Sequence, residues 1–282
     1  MSGEEREGPR WADWLGGRLD ALRRDGQWRA LRPIGLGDSG RTRRDGRDVI
    51  LFSGNDYLGL TSHAQVRQAT VDAVQRWGMG PRGAALICGD TDEHEALRAE
   101  LAALFDCERV LLTPTGFAAN LAVLDALADD DLTIYSDSLA HASIIDGCRL
   151  ARSRGASVRV FAHADADDLE RQLRACATGR ALVVTDSVFS MDGDLAPLRA
   201  YAELRRRYGF MLVVDEAHAT LVFGAGGRAG AGLADAQGVA AQVDIRIGTL
   251  SKAIGAQGGF VATTTALGDW LLHRGRAGVF ST

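Results

Sequence analysis

Lysine is nearly absent from this chain. Of the 32 basic residues among its 282, 31 are arginine and one, Lys252, is lysine. A guanidinium stays protonated in any protein environment and cannot act as an amine nucleophile. Other absences narrow the field further. The four cysteines, Cys88, Cys107, Cys148 and Cys176, form no CxxC pair and show no regular spacing. That pattern indicates neither a metal site nor a disulfide framework, and predicts free thiols. No apolar run approaches the length of a membrane span. The N-terminal stretch MSGEEREGPRW is acidic and polar where a secretion signal needs a basic patch and an apolar run. The expected location is the cytoplasm. A net charge of −5 gives no electrostatic reason to expect nucleic acid or a membrane surface as partner. Small molecules are the expected ligands.

Three short motifs fail for want of context. GLGDSG, Gly35 to Gly40, fits the dinucleotide pattern GxGxxG, but it follows no clear strand and runs into RTRRDGRD. A surface turn is expected there. The GDSG inside it belongs to trypsin-like proteases, whose disulfides and double barrel this sequence does not suggest. DEAH, Asp215 to His218, resembles a helicase box, yet no GxxxxGK[ST] phosphate loop precedes it.

From residue 53 onward, short apolar runs alternate with helical patterns. RVLLTPT, DLTIYSD, SVRVFAH, ALVVTDS, FMLVVDEAH and GGFVATT read as strands. DEHEALRAELAALF, FAANLAVLDALA, ADDLERQLRACA and PLRAYAELRRRYG read as helices. The alternation predicts an α/β fold with a mostly parallel sheet flanked by helices. Residues 1–52 read as an amphipathic helix, WADWLGGRLDALRR, and a turn-rich arm. No repeat or low-complexity tract interrupts the chain. In such sheets the ligand lies beyond the carboxyl ends of the strands, which directs attention to Thr115, Asp137, Ser187, Asp215 and His218.

The lone lysine sits in GTLSKAIGAQGGF, where small residues let a ligand approach the backbone. A desolvated lysine can lose its proton and form a Schiff base with a carbonyl; coding bias towards arginine is the plain alternative. Asp215 ends a buried strand, where a carboxylate needs a positive partner, and a protonated pyridine nitrogen would supply one. Capping the next segment or pairing with an arginine are the structural alternatives. Thr115, Gly116 and Phe117 open a predicted helix whose free N–H groups suit a phosphate, although Thr115 can also be a simple cap. His141, in a polar turn after a strand, could stack on a flat ring or be structural. Together these residues describe a pyridoxal 5'-phosphate (PLP) site.

FSGNDYLGL, PTGFAAN, HASIIDG, VFSMDGDLAPL, VVDEAHAT and GTLSKAIGAQGGF, in this order, resemble the signatures of the α-oxoamine synthases, PLP-dependent enzymes of aminotransferase fold type I. The resemblance runs from about residue 30 to the end and is strongest to the family's biotin-pathway branch. It implies that residues 53–282 form the PLP-binding large domain and that a C-terminal small domain of the family is missing from this chain. It implies Lys252 as the imine-forming lysine and α-proton base, and Asp215 as partner of the pyridine nitrogen. His218 and Ser190 would lie at the 3-oxygen, His141 on the ring, and Gly116, Phe117 and Thr249 around the phosphate. Asn55, Arg32 and His141 would face the amino acid. The segment Phe280 to Thr282 would reach a partner subunit, which implies a homodimer. The implied reaction is decarboxylative condensation of L-alanine with a pimeloyl thioester of CoA or a carrier protein. A glycine-using branch, or a remnant without turnover, are the alternatives. Ala219 stands where the family often has Gly.

Overall fold

The computed structural model describes residues 10–35, 40–175, 179–225 and 230–281. Cys176, Thr282 and the middle of the Gly35–Gly40 turn lie outside them. The chain divides into two compact units, Met1–Leu51 and Phe52–Thr282. The first holds helix α1 (Trp11–Arg24) and an antiparallel hairpin, β1 (Arg41–Arg44) and β2 (Arg47–Ile50). This hairpin replaces part of the turn-rich arm expected from sequence. Its cause is the Asp45-Gly46 pair, both at positive φ (50° and 75°), the backbone that a two-residue hairpin turn requires.

The second unit is a layered α/β domain. Its strands are β3 (Arg109–Thr113), β4 (Leu132–Asp137), β5 (Ser157–Phe161), β6 (Arg180–Asp186), β7 (Met211–Asp215), β8 (Ile245–Thr249) and β9 (Gly259–Thr263). They form one sheet in the order β3-β9-β8-β7-β6-β4-β5, parallel except for β9, which runs antiparallel to both neighbours. The helices are α2 (Ala64–Trp77), α3 (Asp92–Phe105), α4 (Gly116–Leu127), α5 (Ala142–Ser153), α6 (Ala166–Arg174), α7 (Leu198–Tyr208), α8 (Leu233–Ala236), α9 (Thr265–Arg274) and α10 (Arg276–Val279). This is the mostly parallel, helix-flanked sheet that the alternating pattern predicts. No helix among the described residues is long and apolar enough to cross a membrane.

Successive strand residues feed opposite cores, because strand side chains alternate faces. Leu182, Val184 and Val213 pack with α4 and α5 through Val123, Leu124, Ile144 and Cys148. Val183, Leu212 and Val214 pack with α6 and α7 through Leu169, Leu173, Leu198 and Tyr201. Each fully buried Leu or Val side chain contributes about 1.5–3 kcal/mol. The same parity decides where the polar strand ends point: Asp186 and Asp215 follow Val184 and Val213 towards α4 and α5, whereas Asp137 follows Tyr135 towards the other face.

The elements that the sequence reading does not assign include α2, α9, α5 and β8. The stretch after His141 is a helix, α5, with Ile144, Cys148 and Ala151 buried along one stripe, and His141 is its N-cap. Strand β8 is hidden in sequence by Arg246, which is buried and donates to the Phe105 carbonyl while its guanidinium sits 4.9 Å over the Phe105 ring.

Candidate active site

The polar residues gather beyond the carboxyl ends of β6, β7 and β8. Lys252 lies in the loop joining β8 to β9, a tight excursion closed by Leu250 N–H to Gly258 O (3.0 Å) and Gly255 N–H to Lys252 O (2.9 Å). Its Nζ is 2.7 Å from Nε2 of His218. Nδ1 of His218 is 2.6 Å from the Tyr57 hydroxyl, which in turn donates to Asn55 Oδ1 at 3.0 Å. With the Tyr57 proton committed to Asn55, His218 donates from Nδ1 and its Nε2 accepts from Lys252. The chain of donors therefore needs a neutral imidazole. The electrostatics agree: burial, then the charge of Lys252, pushes His218 down to about 4. Burial also lowers the pKa of Lys252, opposed by the charges of Asp215 and Asp186.

On the α4 and α5 side, Asp215 is buried, and its two carboxylate oxygens accept from the Ala217 N–H (2.9 Å) and from Asn120 Nδ2 (2.6 Å). It makes no ion pair with an arginine or lysine among the described residues. The second hydrogen of the Asn120 amide goes to Ser143 Oγ at 2.9 Å, which is 2.6 Å from His141 Nδ1. The Ser143 N–H also donates to that nitrogen (3.2 Å), so the proton of the neutral His141 ring lies on Nε2. The opposite amide orientation of Asn120 would set two acceptors against each other; in the observed one Oδ1 is left buried without a partner. Close approach of the helices makes this network possible, since a Cβ at Gly147 would lie 2.7 Å from Leu124 Cδ1 and 3.3 Å from Asn120 O.

Asp186 pairs in register with Asp215 across β6 and β7 and accepts the His141 N–H at 2.8 Å. Burial first, then the neighbouring charge of Asp215, raises its pKa. At the start of α4, Thr115 is the N-cap, its hydroxyl accepting from the Ala118 N–H at 3.0 Å. The N–H groups of Gly116 and Phe117 find no acceptor among the described residues. Thr249, buried at the end of β8, donates to Gly258 O (3.0 Å) and lies 2.8 Å from Ser251 Oγ. A Cβ on Gly116 would come within 3.1 Å of Thr249 Cβ, and one on Gly259 within 2.4 Å of Gly116 N, so bare backbone brings these segments together. Phe117 stands edge-on to His141, ring centroids 6.3 Å apart.

Thus Lys252, His218 and Asn55 share one hydrogen-bonded chain, and Asp215 and His141 share another. Ser190 is exposed in the turn after β6, and Ser187 is the serine that bonds the Asp215 carbonyl (2.9 Å). Arg32 is exposed in the first unit. Tyr57, Asn120, Ser143 and Asp186 belong to the two chains although sequence reasoning gave them no role. Tyr57 and Asn120 stand inside motifs already singled out, NDYLGL and TGFAAN, which was the available signal.

The aminotransferase class I and II profile matches residues 47–282. The 8-amino-7-oxononanoate synthase of Arabidopsis thaliana is 46% identical, over 87% of this chain and 55% of that protein. The enzyme of the same name from Anaeromyxobacter sp. strain K is 46% identical, over 96% of this chain and 66% of that protein. The chain thus spans between half and two thirds of the length of these curated relatives. Among solved structures, a serine palmitoyltransferase from S. paucimobilis with bound PLP and myriocin superposes with a TM-score of 0.85. It is 29% identical and aligns over 95% of this chain and 67% of its own. The residues present fit PLP. Among the described residues, Asp215 is a buried carboxylate with amide donors and no ion-pair partner and α4 opens with two N–H groups that find no acceptor, while Lys252 is a partly desolvated amine.

Proposed function

The chain belongs to the aminotransferase class I and II family, and on that premise we propose that it carries the PLP site of an α-oxoamine synthase. The reaction is condensation of L-alanine with a pimeloyl thioester to give 8-amino-7-oxononanoate, carbon dioxide and the free thiol of CoA or a carrier protein. The 46% identity to two enzymes of that name supports this branch over the glycine-using ones. The observation that carries the reading is the pair of chains just described, with the sole lysine at one end and an unpaired buried aspartate at the other.

When bound, PLP draws electrons away from the α-carbon of an amino acid, provided that its ring nitrogen stays protonated. Asp215 is the residue that keeps the proton there, and Asn120 and Ala217 hold the carboxylate in place. Lys252 Nζ anchors the cofactor and later takes the substrate α-proton, which its lowered pKa favours. Nε2 of His218, an acceptor while Nδ1 donates to Tyr57, holds Nζ; His218 and Ser190 would lie at the cofactor's 3-oxygen, with a hydrogen on Nε2 needed for His218 to donate there. His141 covers the ring, while Gly116, Phe117 and Thr249 take the phosphate. Asn55 and His141 face the amino acid. Residues 53–282 act as the PLP-binding large domain and residues 1–52 as an arm. The enzyme works in the cytoplasm as a homodimer. In support of the dimer, α2 buries no side chain, and Val66, Val71, Val74 and Met79 leave an exposed apolar surface.

The test is α-proton exchange in D2O, followed by NMR, with the PLP-loaded protein and each amino acid separately. L-Alanine should exchange and glycine should lag well behind. Exchange of glycine alone would move the chain to the glycine-using branch, and exchange of neither would remove the proposal.

A further inference from the structure

His163 lies in the turn between β5 and α6, on the sheet face away from Asn120. Its two ring nitrogens each meet a carboxylate: Nδ1 is 2.9 Å from Asp137 Oδ1 and Nε2 is 2.6 Å from Asp194 Oδ2. Ionised carboxylates only accept, so both bonds form only if both nitrogens carry hydrogen and the ring is an imidazolium. The ring is edge-on to Phe189, with centroids 4.4 Å apart. Asp137, whose side chain is fully buried, ends β4 and also accepts from the Leu139 and Ala164 N–H groups (2.8 and 2.9 Å). It is therefore fixed to the sheet. Asp194 belongs to the opposite partner, a hairpin turn closed by the Val188–Leu195 bridge and by Phe189 N–H to Asp194 O (3.0 Å). Ser190 sits at the tip of that turn. Asp194 Oδ1 is buried without a hydrogen-bond partner, so the charge of Asp194 is met by His163.

We propose that His163, as the imidazolium, is a positioning residue that fastens the 188–195 turn, and Ser190 with it, to the end of β4. The placement of Ser190 at the cofactor rests on the function proposed above. Burial opposes the charged ring, but the bonds to Asp137 and Asp194 outweigh it and the net shift of His163 is upward. Other ionisable groups nearby are Asp165, engaged with the Asp167 and Asp168 N–H groups, and the Tyr201 hydroxyl, which burial raises out of the neutral range. Neither supplies a competing cation. As pH rises through the elevated pKa, the ring gives one proton to solvent. The remaining hydrogen stays towards buried Asp137, and the Nε2 lone pair then faces Asp194 Oδ2. That contact becomes repulsive, and the turn comes free. The stabilisation is complete below about 6.5, the ordinary histidine value, and is lost above the folded value.

Hydrogen exchange of residues 188–195 in the cofactor-free protein, at about pH 6 and about pH 9 and corrected for intrinsic rates, reads the turn directly. Loss of one charged hydrogen bond corresponds to roughly tenfold to a hundredfold faster exchange. Wild type should show that acceleration only at the higher pH, whereas His163→Gln and the milder, partly exposed Asp194→Asn should show it at both. NMR titration should place His163 above about 6.5, and Asp194→Asn should bring it down. A turn that exchanges equally in all three proteins, or a His163 that titrates at or below the ordinary value, would overturn the proposal. PLP affinity is measured separately. A turn that opens as expected with no loss of affinity in either variant would refute the link to Ser190, and the exchange result stands whether or not PLP is the cofactor.

Discussion

Replacing Asn120 by alanine isolates the part of the site that the fold itself must hold up. The side chain is buried and spends both amide hydrogens, at 2.6 Å on Asp215 and 2.9 Å on Ser143. The bond to the ionised carboxylate is worth about 1.5–3 kcal/mol and the one to the serine about 0.5–1.5 kcal/mol. Asn120→Ala should therefore cost the cofactor-free protein roughly 2–4 kcal/mol, the lower end applying if water enters the vacated space. Urea unfolding at neutral pH measures this as a lowered midpoint at unchanged slope. Asn120→Leu separates packing from hydrogen bonding: it refills the space, leaves Asp215 short of a donor, and should do no better than alanine. Ser143→Ala should cost about 1–2 kcal/mol, and the double mutant less than the sum, because the two residues share a bond. A leucine variant as stable as wild type would show that Asn120 acts by filling space, and an alanine variant within about 0.5 kcal/mol would show that Asp215 does not depend on it.

Lys252→Arg should abolish borohydride trapping of PLP on the chain, because no other lysine can replace the lost amine; mass spectrometry of the reduced protein checks this. His218 should remain uncharged until the pH falls to about 4, as seen by NMR. Its depressed value means that the unfolded state binds the proton first, so its stabilising contribution is present above about 6.5 and fades as pH falls from there towards 4. Gly147→Ala forces a methyl against Leu124 and the Asn120 carbonyl and should destabilise by about 1–3 kcal/mol, with PLP affinity falling because Asn120 is displaced. Calorimetry and cofactor titration on the same samples read both effects.

Much of this site was legible in the sequence for identifiable reasons. Lys252 stands out by composition, and Asp215 because it ends an apolar run. Most strands of the sheet are short apolar stretches. What escaped depends on contacts that only the fold supplies. Arg246 disguises β8, since its charge is absorbed by the Phe105 carbonyl and ring, far away in sequence. Asn120 and Ser143 are ordinary polar residues until Gly147 lets α4 and α5 close. Asp137 looked equivalent to Asp215 as a polar strand end, but β4 enters its last residue in the opposite phase, and the side chain faces His163. The hairpin at Asp45-Gly46 was written in a turn signal that is strong only when the flanking residues are recognised as strands.

Three neighbouring strands end in buried aspartates, and the chain treats each charge differently. Asp137 receives an internal cation, His163, and two backbone N–H groups, so its charge is balanced within the fold. Asp186 accepts one N–H, and burial raises its pKa, so the proton itself relieves the charge. Asp215 has only amide donors, the Asn120 side chain and the Ala217 backbone, which orient a carboxylate without neutralising it. Its neighbour Asp186 feels that charge, which after burial is the next cause of its raised pKa. A buried anion that is oriented but unbalanced costs free energy unless something positive arrives. The described residues offer it no arginine or lysine in contact, although the chain has 31 arginines. Of these three strand-end carboxylates, Asp137 is balanced by an internal cation, whereas Asp215 is held by amide donors alone at the carboxyl end of its strand. Under the function proposed above, a flat cation carrying an acidic N–H is the kind of ligand that would complete it, and Asp215, more than the helix terminus or the glycine loop, would then tie the architecture to PLP chemistry.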